Sequence, residues 1–283
     1  MKKYIIAIIR ILANPTNKNK RLLYLFRGIL HFVKRIKGDY YVTLDNGITC
    51  KVYADNPQSS ELLIFNFQSE EHKFLHDVIK KDNISFLDIG ANVGSFTVKY
   101  LHYVGQGNRA VLFEPNPFLT DRLNQLNGKH NVQVFPFALG RENRTMFLES
   151  ESETSPCAKL VEKQTDIRVA VKTLDEMVEF LPAHVYFIKI DMEGYEYDVL
   201  VGGKEYIRRA NPHLILFEYS DLAQSNGVSI QDFHILFNEM GYKVFAVADS
   251  ELVPPEQKRK ISDLLAIRDG FQNRPDQNQC LNH

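Results

Sequence analysis

The chain has 283 residues, enough for one large α/β domain and an additional N-terminal segment. Its composition, 44% apolar and 24% charged, excludes a disordered or fibrous protein, and three widely spaced cysteines exclude a disulfide framework and a zinc site. The net charge of −1 hides an asymmetry, because residues 1–38 carry ten basic residues and no acidic one. Removing these ten from the 34 basic residues leaves 24 against 35 acidic ones, so the remainder carries about −11.

Residues 1–38 form a basic arm in which apolar residues recur at helical spacing between Leu22 and Ile36. This pattern predicts an amphipathic helix that lies on an anionic membrane surface or packs on the protein's own core. The apolar run at residues 4–9 is too short to span a bilayer. The arm has no recognised nucleic-acid-binding module, so no nucleic acid partner is expected. These features, with the unpaired cysteines, predict a cytoplasmic protein, free or peripheral at the inner membrane face.

A β lead-in is predicted for residues 39–67. The residues Asp45-Asn46-Gly47 favour a tight turn between apolar stretches on either side, which is typical of a β hairpin. A helix is predicted next over residues 68–81, at the start of an α/β domain that covers residues 68–270. Residues 271–283 are a polar C-terminal tail.

The sequence FLDIGANVGS at residues 86–95 predicts a buried strand that turns into a helix. Gly90 and Gly94 would let the backbone turn tightly and approach a ligand. Asp88 at the strand end would repel a pyrophosphate and attract an ammonium or sulfonium group. Because the G-x-G-x-x-G spacing is also absent, the motif favours S-adenosylmethionine over a nicotinamide cofactor. The plain alternative is a strand-to-helix connection that Asp88 caps.

The next predicted strand, residues 110–113, ends in Glu114, which lies 24 positions after Gly90. An acid at about this distance usually binds the two ribose hydroxyls of a cofactor. Asn92 and Ser95 open the predicted helix, whose N-terminus favours the methionine carboxylate. We predict nine cofactor-binding residues: Asp88, Gly90, Ala91, Asn92, Gly94, Ser95, Glu114, Asn116 and Ala138.

Polar residues at 149–166 predict a loop. The residues TLDE, from Thr173 to Glu176, match a capping box and predict a helix start. Alternating strands and helices indicate a mostly parallel sheet, completed by a helix at residues 230–240 and strands at 242–247 and 264–268.

Two further apolar strands end in acids: residues 185–190 precede Asp191 and Glu193, and residues 214–217 precede Glu218. Acids therefore end four predicted strands of one sheet. Because ligands bind beyond the carboxyl ends of parallel strands, we expect these acids to share a cleft.

In FLDIGANVGSFT, LFEPNP, TLDE and IKIDMEGYEYDVLVGG, the chain resembles the FkbM family of S-adenosylmethionine-dependent methyltransferases over residues 85–220. The resemblance implies an α/β, Rossmann-like class I methyltransferase fold. Its sheet would have seven mostly parallel strands, an antiparallel final strand and helices on both faces. The resemblance also implies O-methylation of a hydroxyl, often on a saccharide or secondary metabolite.

Methyl transfer to a hydroxyl requires an aligned acceptor and a group that accepts its proton. We predict Asp191 as the general base, with Glu193 sharing this role or orienting the acceptor. Asp191, Glu193 and Glu218 are alternatively hard oxygen ligands for Mg²⁺; the sequence does not favour this role, and no metal ligand is predicted. A noncatalytic adaptor that binds a membrane or partner is the remaining alternative. Loss of the acids would support it, but Asp88, Glu114 and Asp191 are all present.

Overall fold

The structure is a computed structural model that describes residues 38–43, 49–53, 56, 74–75, 78–79, 83–103, 107–127, 131–150, 155, 158–248, 251–257 and 263–271. The chain divides into two units, residues 1–66 and 67–283. Residues 1–37 of the arm predicted at 1–38 and residues 272–283 of the tail predicted at 271–283 lie outside the described residues. Within the described chain, no helix is long and apolar enough to cross a membrane.

In the first unit, strands β1 (Tyr40–Thr43) and β2 (Thr49–Val52) pair antiparallel, with Tyr40 opposite Val52. This pairing confirms the predicted hairpin, whose turn falls outside the described residues. Of the helix predicted at 68–81, only residues 74, 75 and 78 are described as helical.

The second unit alternates strands and helices as predicted. Its strands are β3 (Ser85–Ile89), β4 (Arg109–Phe113), β5 (Val132–Phe135), β6 (Ala138–Leu139), β7 (Arg144–Glu149), β8 (Lys159–Val161), β9 (Ile167–Lys172), β10 (Phe187–Ile190), β11 (Leu214–Glu218), β12 (Tyr242–Ala248), β13 (Glu251–Val253) and β14 (Asp263–Arg268). Its α-helices are α1 (Ser95–Tyr103), α2 (Pro117–Leu123), α3 (Glu196–Gly202), α4 (Lys204–Ala210), α5 (Asp221–Ser225) and α6 (Ile230–Glu239).

The main sheet has the order β13-β12-β14-β11-β10-β3-β4-β5. The five strands from β11 to β5 pair in parallel, and β14 is antiparallel to both of its neighbours, as predicted. The sheet has eight described strands and not the predicted seven, because β13 folds back antiparallel onto the end of β12 at the sheet edge. With three residues, β13 is too short to show a sequence periodicity.

The direction of strand addition reverses between β3 and β10. The chain proceeds from β3 to β4 and β5 on one side, and from β10 to β11 on the other. Right-handed crossovers in opposite directions place α1 and α2 on one face of the sheet and α3 to α6 on the other. The crevice beyond the carboxyl ends of β3 and β10 is therefore the topological switch point, where this type of sheet binds ligands.

The central strands β3 and β10 are buried on both faces, which explains their continuous apolar sequences. Phe86 of β3 stacks on Phe187 of β10, with ring centroids 4.7 Å apart. Asp88 and Lys189, the charged residues of these two strands, are register partners in the pairing. The core therefore brings a buried carboxylate beside a buried ammonium group.

A second sheet, which the sequence analysis did not predict, has the order β6-β9-β7-β8. The prediction of a loop over residues 149–166 is wrong for β8, which pairs antiparallel with β7. The missed signal is the alternation of inward apolar and outward polar residues in β7 and β9, where Met146, Leu148, Val169 and Val171 enter the core.

The TLDE motif serves packing and helix capping. A 3₁₀ helix begins at Asp175, and the backbone N–H of Glu176 donates to Thr173 Oγ1 at 3.3 Å, which is one half of the predicted capping box. The other half is absent, because the Thr173 backbone N–H donates to Asn143 Oδ1 at 3.1 Å. The Asp175 carboxylate also accepts the backbone N–H of Tyr206 in α4, at 2.7 Å. A Cβ on Gly202, in the later VGG segment, would overlap the Gly140 carbonyl, so this glycine allows α3 to approach the second sheet.

Candidate active site

The turn after β3 lies directly against the end of β10. Gly90 has a φ of +77°, and a Cβ built on it would overlap the carbonyl oxygen of Asp191. The backbone N–H of Asp191 donates to Ile89 at 3.0 Å, and that of Gly90 donates to Phe113 at 2.9 Å. Gly90 thus permits a contact between strands as well as a tight turn.

The rest of the turn is packed against the protein. A Cβ on Gly94 would lie 2.9 Å from a methyl of Leu123, so α2 and not an open cleft fills this space. Ala91 and Ser95 are buried, whereas Gly90 and Asn92 are partly exposed. Of these five predicted cofactor-binding residues, Gly90 and Asn92 are therefore the two that are accessible from outside the core.

Glu114 lies just after β4 and is 6% exposed. Its Oε1 accepts the backbone N–H of Asn116 and its Oε2 that of Asn92, each at 2.8 Å. Burial raises the pKa of Glu114 to about 7, while these two N–H groups and Lys189 oppose the rise and Asp88 adds to it. Because a carboxylate oxygen has two lone pairs, each oxygen retains one for a further donor.

Two other predicted cofactor residues have clear structural roles. Asn116 is fully buried, and its side chain caps α2 by accepting the backbone N–H of Phe118 at 3.1 Å. Ala138 is fully buried in β6, where it pairs with Val171. Their direct contact with a cofactor stays a prediction.

Asp88 is fully buried and is engaged within the protein. Its Oδ2 accepts the hydroxyl of Thr97 at 2.6 Å, and its Oδ1 lies 3.5 Å from Lys189 Nζ. Lys189 Nζ also donates to the Gly90 carbonyl at 3.0 Å and lies 3.1 Å from Asp191 Oδ2. Burial lowers the pKa of Lys189, but Asp191 and Asp88 outweigh burial and raise it above its ordinary value. Lys189, which the sequence analysis did not select, therefore joins the two strand-end acids.

The predicted catalytic acids lie at the same edge of the sheet. Asp191 is partly exposed, with 40% of its side chain accessible. Glu193 is half-buried and has a φ of +51°, which places it in a left-handed turn before Gly194. Asp191 is thus accessible from the cleft while Lys189 holds one of its oxygens.

Glu196, the first residue of α3, was missed by the sequence analysis. It is fully buried, and its Oε1 accepts the backbone N–H groups of Met192 at 2.7 Å and Gly194 at 3.2 Å. Burial raises the pKa of Glu196 to about 7. One carboxylate oxygen from each of Asp191, Glu196 and Glu218 lies within 4.8 Å of the others, so Glu196 takes the place that the sequence assigned to Glu193. Its only sequence signal is an acid at the start of a helix.

A cavity of about 370 Å³ lies beside the turn that follows Asp191. Charged and aromatic side chains line it together with Gly194: Arg141, Glu142, Arg144, Tyr195, Tyr197 and Asp198. Arg141 is paired with Asp198 at 2.9 Å, so its charge is largely balanced. The cavity is polar, with aromatic walls.

Together, the reversal between β3 and β10, the strand-end acids and the antiparallel β14 define a class I, Rossmann-like methyltransferase fold. The family model described as the methyltransferase FkbM domain matches residues 88–244. The chain belongs to this family, which confirms the predicted resemblance. The cofactor of the family is S-adenosylmethionine, as predicted.

The chain is also similar to several individual proteins. "Methyltransferase 1" of Beauveria bassiana (strain ARSEF 2860) is 30% identical over 154 residues, which cover 45% of this chain and 61% of that protein. A crystal structure of methyltransferase FkbM from Methylobacillus flagellatus KT is 15% identical with a TM-score of 0.44, covering 66% of this chain and 44% of that one. Aeropyrum pernix fibrillarin, solved with bound S-adenosyl-L-methionine, is 13% identical with a TM-score of 0.42, covering 81% and 94%. The chain therefore spans less than two thirds of the first two proteins.

The residues at the switch point fit S-adenosylmethionine. Glu114 has an acceptor site remaining on each oxygen, which suits a pair of ribose hydroxyls. The partly exposed residues Gly90 and Asn92 and the start of the nine-residue helix α1 lie on the same turn. These hydrogen-bonding groups together suit a nucleoside linked to a zwitterionic amino acid.

Proposed function

We propose that this chain is an S-adenosylmethionine-dependent O-methyltransferase that acts on a hydroxyl of a saccharide, glycolipid or secondary metabolite. The observation that carries the proposal is the meeting of two strand ends. Glu114 holds the Asn92 backbone, and two residues earlier Gly90 touches the backbone of Asp191. A ribose-binding acid and an accessible carboxylate thus lie on either side of one short turn.

Within this proposal, Glu114 accepts hydrogen bonds from both ribose hydroxyls. Its two backbone contacts fix the carboxylate before the cofactor binds, which reduces the entropy lost on binding. The partly exposed residues Gly90 and Asn92 and the α1 N-terminus at Ser95 would hold the methionine part. Asp88 would act through Lys189 and Thr97, because its carboxylate is enclosed.

Asp191 would accept the proton of the acceptor hydroxyl. When bound, the cofactor would supply a methyl group bonded to a positively charged sulfur, and transfer of this methyl to the acceptor oxygen would break the carbon–sulfur bond and leave a neutral thioether. Lys189 holds Asp191 Oδ2 at 3.1 Å, so the carboxylate is oriented and Oδ1 remains for the acceptor. Glu193, in the left-handed turn two residues later, would orient the acceptor. Positioning and proton removal are the two tasks that this reaction requires.

The cavity next to this turn supports a saccharide-type acceptor. Tyr195 and Tyr197 offer aromatic surfaces, and the arginine and acid pairs around them offer hydrogen-bond donors and acceptors. Such a polar cavity with aromatic walls suits a ring that carries several hydroxyls. Its lining residues Gly194 and Tyr195 follow Glu193 directly in the chain.

Calorimetric titration with S-adenosylhomocysteine, with NAD in parallel, tests the proposal. We expect saturable binding of S-adenosylhomocysteine and none of NAD. Glu114→Ala removes two charge-assisted hydrogen bonds, so we expect affinity to fall by about 2–4 kcal/mol, roughly 30- to 1,000-fold. The control Glu149→Ala removes an exposed acid of β7 and should bind like the wild type.

A binding-competent protein would then be assayed for methyl transfer to a panel of glycans, glycolipids, amines and RNA. Transfer to a glycan hydroxyl supports the acceptor class. Transfer confined to amines or RNA would overturn it, and binding of NAD alone would overturn the cofactor assignment.

A further inference from the structure

Three carboxylates converge at the carboxyl ends of β10 and β11. Asp191 follows β10, Glu218 ends β11, and Glu196 begins α3. One oxygen from each residue lies within 4.8 Å of the other two. Asp191 and Glu218 are partly exposed, so the group is accessible from the cleft.

Two of these carboxylates have a buried oxygen without a hydrogen-bond partner. In Glu196, which is 0% exposed, both backbone N–H donors bind Oε1, and Oε2 is buried and unpartnered. Glu218 Oε2 is also buried and unpartnered. Leaving a buried charged acceptor unsatisfied costs more than leaving a neutral one. A positively charged ligand would satisfy both oxygens.

The surrounding charges do not balance this cluster. Lys189 lies against Asp191 Oδ2 and Asp88 Oδ1, and within the described ranges no lysine, arginine or histidine pairs with Glu196 or Glu218. Two more acids, Glu193 and Asp263, lie near Glu218 and interact with its charge. An excess of negative charge thus faces the cleft.

We propose that Asp191, Glu196 and Glu218 bind one divalent cation with oxygen preference. Carboxylate oxygens are the ligands that Mg²⁺, Mn²⁺ and Ca²⁺ take. Ligands of a single Ca²⁺ lie about 2.3–2.6 Å from it, so opposite ones are up to about 5 Å apart, which accommodates the observed spacing. Water or acceptor oxygens reached from the cleft would complete the coordination.

The cation would also explain why Glu196 and Glu218 lie beside Asp191, the proposed base. A hydroxyl bound to a divalent cation loses its proton more readily, and a cation can hold two neighbouring acceptor oxygens. This consequence rests on the proposed function, whereas the binding of the cation does not.

Electron paramagnetic resonance of free Mn²⁺ tests the binding on the full, chelator-treated chain. We expect one Mn²⁺ per chain, displaced by Mg²⁺ or Ca²⁺. Glu196→Gln and Glu218→Gln should each weaken the site at least tenfold. The control Glu251→Gln, which changes an exposed acid in β13, should leave it unchanged. Absence of saturable Mn²⁺ binding, or unchanged binding in both cluster variants, would overturn the inference.

Folding and the proposed function are separated by two further measurements on the same samples. In Glu196→Gln the side chain keeps an oxygen for the Met192 and Gly194 N–H groups, and thermal unfolding checks that this variant folds. If it does not fold, Glu218→Gln tests the cation site. Titration with S-adenosylhomocysteine in the presence of a chelator separates the cation site from the proposed methyl transfer. Cofactor binding without Mn²⁺ binding overturns the cation alone, and Mn²⁺ binding without cofactor binding overturns the proposed methyl transfer alone.

Discussion

Glu114 and Glu196 lie on opposite sides of the switch point and differ in how they are held. Both are buried, burial raises the pKa of each to about 7, and each accepts two backbone N–H groups. In Glu114 each oxygen takes one N–H, whereas in Glu196 one oxygen takes both and the other has no partner. The two residues are therefore similarly buried and accept the same number of hydrogen bonds, but they differ in which oxygens remain open to a ligand.

This difference indicates separate roles for the two halves of the site. Glu114 presents two similar, pre-oriented oxygens, which suits the paired hydroxyls of a ribose. Glu196 has one bare oxygen and lies beside two other carboxylates, which suits a cation. Gly90 lies between the halves, because it contacts the backbone of Asp191 while its own N–H binds the end of β4.

The largest expected effect lies on the Glu196 side. Asp191→Asn removes the proposed proton acceptor, so methyl transfer to an acceptor of the wild type should fall by about 10²–10⁴-fold. The affinity for S-adenosylhomocysteine should change little, because the proposed ribose contact is made by Glu114. The control Asp221→Asn changes an exposed acid of α5 and should match the wild type in both measurements. A fully active Asp191→Asn enzyme would remove Asp191 as the base.

Gly90→Ala tests the contact that joins the two halves. The added Cβ would overlap the Asp191 carbonyl and also requires a φ of +77°, so we expect the free energy of unfolding to fall by about 3–5 kcal/mol. Gly227 has a similar φ of +79° but open space around it, so Gly227→Ala should cost only about 1–2 kcal/mol. Urea unfolding measures both variants. Equal losses would show that backbone conformation, and not the close approach, makes Gly90 necessary.

A smaller effect concerns the pH dependence of stability on the Glu114 side. The pKa of Glu114 rises from 4.5 to about 7 on folding, so the folded state binds more protons than the unfolded state between these values. The contribution of Glu114 to the free energy of unfolding is therefore highest below pH 4.5 and falls as pH rises through 7, by on the order of 1–3 kcal/mol.

Glu114→Gln should make the decrease between pH 5 and pH 8 shallower, as measured by urea unfolding across this range. Glu149→Gln, a change at an exposed acid, should retain the wild-type profile. Parallel profiles for the wild type and Glu114→Gln would contradict the raised pKa of Glu114.

Much of the architecture was predictable from local sequence. The apolar runs ending in Asp88, Glu114, Asp191 and Glu218 identified the central strands, and the motifs around them identified the family. The short strands β8 and β13 could not be predicted, because three residues do not establish a periodicity. The second sheet was readable in principle from the alternation in β7 and β9.

By itself the sequence determined the fold class, the cofactor class and which acids lie at strand ends, because these depend on nearby residues. Only the tertiary structure decided which of these acids meet. Lys189 faces Asp88 because β10 adds beside β3 in a fixed register across about a hundred positions. Glu196 joins Asp191 and Glu218 because α3 starts where β10 and β11 end. Such contacts depend on long-range strand order and helix return, which local patterns do not encode.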